Sequence, residues 1–246
     1  MTRKRLALLC SAFLVAIAAA ICSYDVLVSK ASEEKKLPIY SVEREEKLIS
    51  LSFDAAWGNE QTQSLLDTLK EFEVKSTFFL VGMWVDKYPE SVKAIAQAGH
   101  DIGNHSDTHP HMTKIDDEKM VKQIEDCNEK IQKITGIRPT LFRAPYGDYN
   151  NKLVETVSKL GMFCIQWNID SLDWKGLDEK NMIKKFEKKI KPGSIALLHN
   201  GGKHTPEALP GIIKFIKSKD YKIVPISEII YKDNFTIEHD GQQSLN

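Results

Sequence analysis

The 246-residue chain has no surplus of either charge: 34 lysines and arginines balance 34 aspartates and glutamates. Without a basic excess it lacks the electrostatic footprint of a nucleic-acid binder. Cysteine is also scarce, with four residues and no Cys-x-x-Cys pair, which argues against a thiolate zinc site. Cys10 and Cys22 lie in an apolar N-terminal run, leaving only Cys127 and Cys164 beyond it. One sits in a helical pattern and the other in a strand pattern, so they are expected to be separate buried small residues rather than a bridge.

Long uncharged stretches are confined to the N-terminus. Arg3, Lys4 and Arg5 precede an uncharged, mostly apolar run from Leu6 to Cys22, after which Asp25 and Lys30 restore polarity. This is the pattern of a targeting segment. Its length lies between a signal-peptide core and a full span, and Ala18 with Ala20 offers only a weak cleavage pattern. Residues 1–28 therefore read as a signal anchor, or a signal peptide if cleaved, with the basic cluster left in the cytoplasm and the remainder outside the cell. Ile21 before Cys22 is too bulky for a lipidation signal. Residues 29–47, rich in Glu and Lys around Pro38, read as a polar linker; residues 48–231 as one domain; residues 232–246 as a frayed polar tail.

From Leu48 onward, short apolar runs alternate with helical patterns. The runs are Ile49 to Phe53, Thr77 to Val81, Asp101 to Gly103, Thr140 to Phe142, Phe163 to Trp167, Ile195 to Leu198 and Lys222 to Val224. Between them, the spacing predicts helices over Gln61 to Phe72, Pro89 to Ala98, Asp116 to Thr135, Asn151 to Leu160 and Glu179 to Lys189. A further helix between Thr205 and Ser218 is expected to become regular at Pro210. Strand, loop and helix repeated about seven times predict an α/β fold, a closed or nearly closed (β/α) barrel of parallel strands. In such barrels the loops after the strands carry the chemistry.

Polar clusters fall at those positions. Asp54 ends the first run; His105 and His109, four apart, follow the third. On one side of a helical turn, two imidazoles so spaced can share a cation. Arg143 follows the fourth run, where it can keep Asp54 ionised. Asp173 and Trp174 follow the fifth, as an acid able to orient a histidine and an apolar wall for a sugar ring. His199 ends the sixth and can titrate near neutrality. Each residue alone has a bland explanation; their shared placement does not.

In order, these motifs resemble those of the polysaccharide deacetylases of the NodB-homology type, over Leu48 to about Ile230. Phe-Asp-x-x-Trp-Gly from Phe53 and the stretch Leu-Leu-His-Asn-Gly-Gly-Lys-His-Thr-Pro-Glu-Ala-Leu-Pro from Leu197 are most similar to the PdaB-type sporulation branch. The resemblance implies a deformed barrel that removes N-acetyl groups from amino-sugar polymers such as peptidoglycan. It implies Asp54 as catalytic base, Arg143 as its holder, and His199 as general acid tuned by Asp173. It further implies the Tyr146 backbone as oxyanion donor, and His105 and His109 as ligands of a divalent metal, with zinc the first choice. Where the family has a second acid directly after the base, this chain has Ala55. Three alternatives follow: two histidines and waters hold a weaker ion, Asp54 itself ligates it, or the domain is a glycan-binding envelope protein without turnover.

Overall fold

The alternation that begins at Leu48 positions the site. The computed structural model describes residues 35–246. A short strand β1 (Ser41–Val42) precedes β2 (Leu48–Ala55). In β2, Ile49, Leu51, Phe53 and Ala55 share one face and are fully buried in an apolar cluster with Leu65, Leu69, Ile212 and Ile213. Ser50, Ser52 and Asp54 share the other face. Both serines are buried there, and their hydroxyls donate to Val224 O and Ala196 O at 2.7 Å. Asp54 is thus the top rung of an inward polar row, which sets the direction of its carboxylate.

The later strands are β3 (Thr77–Leu80), β4 (Asp101–Asn104), β5 (Leu141–Phe142), β6 (Phe163–Cys164), β7 (Ile169–Asp170), β8 (Ser194–His199) and β9 (Lys222–Ile223). In the order β7-β8-β2-β3-β4-β5-β6, β2 and six of these run parallel in one curled sheet. The fold is the α/β barrel-like architecture that the alternation predicts, with one exchange of members. Ile169–Asp170, too short to show a period, joins the sheet, whereas Lys222–Ile223 pairs only with the foot of β2.

The helices are α1 (Thr62–Glu71), α2 (Gly82–Lys87), α3 (Pro89–Gln97), α4 (Asp117–Thr135), α5 (Asn151–Lys159), α6 (Glu179–Lys189), α7 (Thr205–Ser218) and α8 (Ile226–Ile229). In α4 the Asp116 side chain accepts from Lys119 N at 2.9 Å, and Gly136 ends the helix at φ 75°. Met120, Ile124, Cys127 and Ile131 form its buried stripe. Helix α7 is regular from Thr205 rather than from Pro210. Pro206 lies in the first turn, where no N–H is needed, and Ala208 N already bonds His204 O at 3.0 Å.

Both the expected linker and the expected tail enter the sheet. Ile39 bridges Ile165 beyond β6, and Ser41 pairs antiparallel with Ser194, so the segment spans from the β6 edge to the foot of β8. Gly193 makes that approach possible: at φ 75°, a Cβ there would lie 1.8 Å from Val42 O. Strands β10 (Phe235–Ile237) and β11 (Gln242–Leu245) form an antiparallel pair, with β11 parallel to β1. Gln243 is fully buried because its amide donates to Tyr231 O at 2.7 Å and accepts from Tyr231 N at 2.9 Å. Such long-range exchange leaves no local mark in a polar sequence. The expected anchor lies outside the described residues, among which no helix is long and apolar enough to cross a membrane.

Phe79, Leu141, Ile165, Ile195 and Ile226 belong to a second apolar cluster. Cys127 and Cys164 are buried and free.

Candidate active site

Arg143 is fully buried, and its guanidinium lies 4.1 Å from the Phe79 ring centroid. It donates to Asp54 Oδ1 at 2.7 Å, to Ser52 Oγ at 2.9 Å and to Gln166 O at 3.2 Å. A buried charge is tolerated only when paired and hydrogen-bonded, and here it is both. Burial works against ionisation of Asp54, but Arg143, with His105 and His199, outweighs it and holds the carboxyl below its ordinary range.

His105 follows β4, and His109 sits in the loop beyond it. The pair is not on a helical turn: Ser106 and His109 are both left-handed, with φ 67° and 59°. The loop is shaped by side-chain bonds, from Ser106 N to Asn104 Oδ1 at 2.7 Å and from His109 N to Ser106 Oγ at 3.0 Å. The two rings still meet, with centroids 5.0 Å apart. His105 Nδ1 lies 2.8 Å from Arg143 O, an oxygen that can only accept, so the neutral ring carries its proton on Nδ1. Nε2 is then the bare nitrogen, 3.5 Å from Asp54 Oδ2. Burial lowers the pKa of both rings, that of His109 to about 4.

Opposite them, Asp173 accepts four bonds. Its Oδ1 takes His199 Nδ1 and Trp174 N at 2.8 Å each; its Oδ2 takes His199 N and Thr205 Oγ1 at 2.7 Å each. Burial alone would lower the His199 pKa, but the bond to Asp173 and its charge, aided by Asp54 and Asp170, raise it. With Nδ1 engaged, His199 presents Nε2 as its free nitrogen.

These groups surround a cavity of about 610 Å³ lined by Asp54, His105, His109 and His199, among others. Its rim is aromatic: Trp57, Tyr146 and Trp174 line it while remaining 64%, 61% and 57% exposed. Tyr146 is left-handed at φ 61°, a conformation costing a residue with a Cβ roughly 1–2 kcal/mol.

The family model described as polysaccharide deacetylase matches residues 41–165, from β1 to just past β6. The chain belongs to the polysaccharide deacetylase family. Among curated relatives, the uncharacterised protein YlxY of Bacillus subtilis (strain 168) is 32% identical over 193 residues, covering 78% of this chain and 60% of that protein. The peptidoglycan-N-acetylmuramic acid deacetylase PdaC of the same strain is 33% identical over 208 residues, covering 82% of this chain and 44% of that protein. The chain thus spans less than two thirds of either relative. A CE4 family pseudoenzyme from Bacillus anthracis has a crystal structure 33% identical at a TM-score of 0.76, covering 79% of this chain and 69% of that one. A mutant of it with restored enzymatic activity matches at 34% identity and the same TM-score, covering 79% of this chain and 71% of that one.

Polysaccharide deacetylases are generally metal-dependent. Among the described residues, no group of three or more His, Cys, Asp or Glu side chains is gathered to hold an ion. Ala55 is a fully buried methyl in the cluster with Leu80 and Val81. Two nitrogens do suit a cation: the bare Nε2 of His105, and the ring of His109, whose Nδ1 is buried with no hydrogen-bond partner. This donor set fits a divalent ion attached by two imidazoles and otherwise hydrated, short of one protein ligand.

The deacetylase motifs therefore bring Asp54, His105, His109, Tyr146, Trp174 and His199 to one cavity, with Arg143 directly behind Asp54 and Asp173 directly behind His199. Several contributors have no role assigned from the sequence. Trp57, an exposed tryptophan two residues after Ala55, carries a local signal in its isolation among small residues. Asp170, Ser52 and Thr205 carry none, since their roles depend on pairings across the sheet. His111 stacks on Tyr146, whereas His204 occupies the N-terminal cap position of α7 and does not line the cavity.

Proposed function

We propose that this protein is an N-deacetylase of peptidoglycan or a related N-acetylated glycan. The observation that carries the reading is the pair of backed groups facing one cavity, Asp54 held by Arg143 and His199 held by Asp173. Hydrolysis of an acetamide needs an activated water, a stabilised oxyanion and a proton for the departing amine.

Asp54, kept ionised by Arg143, takes a proton from water as the water oxygen attacks the acetyl carbon. The Tyr146 N–H donates to the developing oxyanion. His199, kept protonated by Asp173, delivers the Nε2 proton to the amide nitrogen as the C–N bond breaks, releasing acetate and the free amino sugar. A divalent ion held by His105 and His109 would supply Lewis-acid polarisation of the carbonyl when bound. Trp57, Tyr146 and Trp174 offer flat apolar faces to the sugar rings on either side.

The basic residues and apolar run at the N-terminus support an extracytoplasmic, membrane-anchored enzyme, and the resemblance to the PdaB-type branch supports a role in sporulation. A second reading, a glycan-binding envelope protein without turnover, is favoured by Ala55 and by the similarity to a pseudoenzyme. Acetate release from N-acetylated oligosaccharides separates them: it is expected from the wild type and not from His199→Ala, and its absence from both favours the binder.

A further inference from the structure

Tyr146 stays in its left-handed conformation although it is not a glycine, so something outside its own backbone must hold it. Its ring lies between two histidines. The His109 ring meets it at 4.6 Å and 70°, and the His111 ring stacks on it at 4.2 Å and 20°. His111 is itself fixed, with Nδ1 at 3.3 Å from Asp148 Oδ2, an oxygen that also accepts from Thr113 Oγ1 at 2.6 Å. Asp148 N donates to Pro145 O at 3.1 Å, closing the turn around Tyr146.

We propose that His111, Asp148 and Thr113 form a brace that positions Tyr146. They are positioning residues, since none of the three lines the cavity. The brace ties the loop after β5, which carries Tyr146, to the loop after β4, which carries His105 and His109. Its working part is the flat ring of His111, backed by Asp148, against the tyrosine face. The consequence for catalysis rests on the proposed function, because it is there that the Tyr146 N–H meets an oxyanion; the brace itself does not.

The test uses the full chain as wild type, His111→Ala and His111→Phe, the last keeping a flat ring without the bond to Asp148. Three quantities are measured: amide hydrogen exchange at Tyr146 and Gly147, kcat and KM for acetate release, and zinc affinity by calorimetry. His111→Ala is expected to speed exchange at these amides about tenfold. It is also expected to lower kcat by roughly tenfold or more with KM nearly unchanged, as misplacement of an aligned group does. His111→Phe, which keeps the stacked ring but not the bond to Asp148, is expected to restore both in part, and zinc affinity to be the same in all three proteins. Unchanged exchange in His111→Ala overturns the brace. So does a His111→Phe protein no better than His111→Ala, or zinc binding lost with His111, which would make it a ligand. If the wild type releases no acetate, the proposed function fails, and the exchange measurement still decides the brace.

Discussion

Asp54 and His199 are direct partners in the parallel register of β2 and β8, so the proposed base and the proposed acid sit side by side on neighbouring strands. Their surroundings push them apart in acidity: Asp54 is held below its usual 3.8 and His199 above its usual 6.5. Asp54 is therefore ionised, and His199 protonated, across the whole interval between. Activity is expected to stay level through mildly acidic pH, falling on the acid side only below 3.8 and on the alkaline side only above 6.5. Asp173→Asn removes the strongest upward influence on His199, so the alkaline limb of kcat/KM should move to lower pH. A limb that does not move would detach Asp173 from this role.

Arg143 makes its strongest contact with Asp54 in a fully buried setting. Removing one member of such a pair leaves the other uncompensated, at a cost of about 3–5 kcal/mol. Arg143→Met is expected to lower Tm by roughly 10 °C, taking about 2–4 °C per kcal/mol for a domain of this size. Asp54→Asn should also destabilise, and so should His199→Ala, which leaves the buried Asp173 carboxylate without its histidine partner, so a loss of activity in either needs a folding control. A Tm within 2 °C of wild type, roughly 1 kcal/mol or less, would show that Arg143 is not the clamp described.

Ala55→Asp would place a carboxylate one residue from Asp54, in a fully buried position beside Leu80. Unless it meets a cation, a buried acid is costly. The expected outcome is a Tm below wild type without zinc, recovered on adding zinc, and a zinc affinity at least roughly tenfold higher, as linkage requires. An equal fall in Tm with and without zinc would mean that position 55 does not reach the ion.

Acid stability has a source outside the site. His100 is buried beneath Ser76, whose N–H it accepts at 3.2 Å, and burial, with Lys75, lowers its pKa to about 4. Because the unfolded ring titrates near 6.5, its contribution is complete above that pH and is lost as pH falls through about 4. That fall corresponds to roughly 3 kcal/mol at most. The drop in Tm between pH 7 and pH 4 (both about these values) should be smaller in His100→Gln. An identical drop would place the acid sensitivity elsewhere.

The deacetylase motifs are legible in the sequence because parallel strands deliver their last residues to one rim, so Asp54, Arg143, Asp173 and His199 each follow a short apolar run. Helix α4 is equally legible, since its cap, stripe and terminal glycine are all local. What escapes is pairing at a distance. Gln243 enters the core through Tyr231, Thr205 reaches back to Asp173, and Ile39 bridges Ile165. The His105 and His109 pair was legible as a pair but not as a shape, because Ser106 and Asn104 bend the loop through their own side chains.

The most direct test of the central claim is acetate release from N-acetylglucosamine oligomers by the full chain supplied with zinc, beside His199→Ala. The account predicts steady release by the wild type and a loss of roughly 100-fold or more in a folded His199→Ala protein. Release that is unchanged in His199→Ala would contradict the assignment of the acid, and no release by the wild type at any zinc concentration would contradict the enzyme.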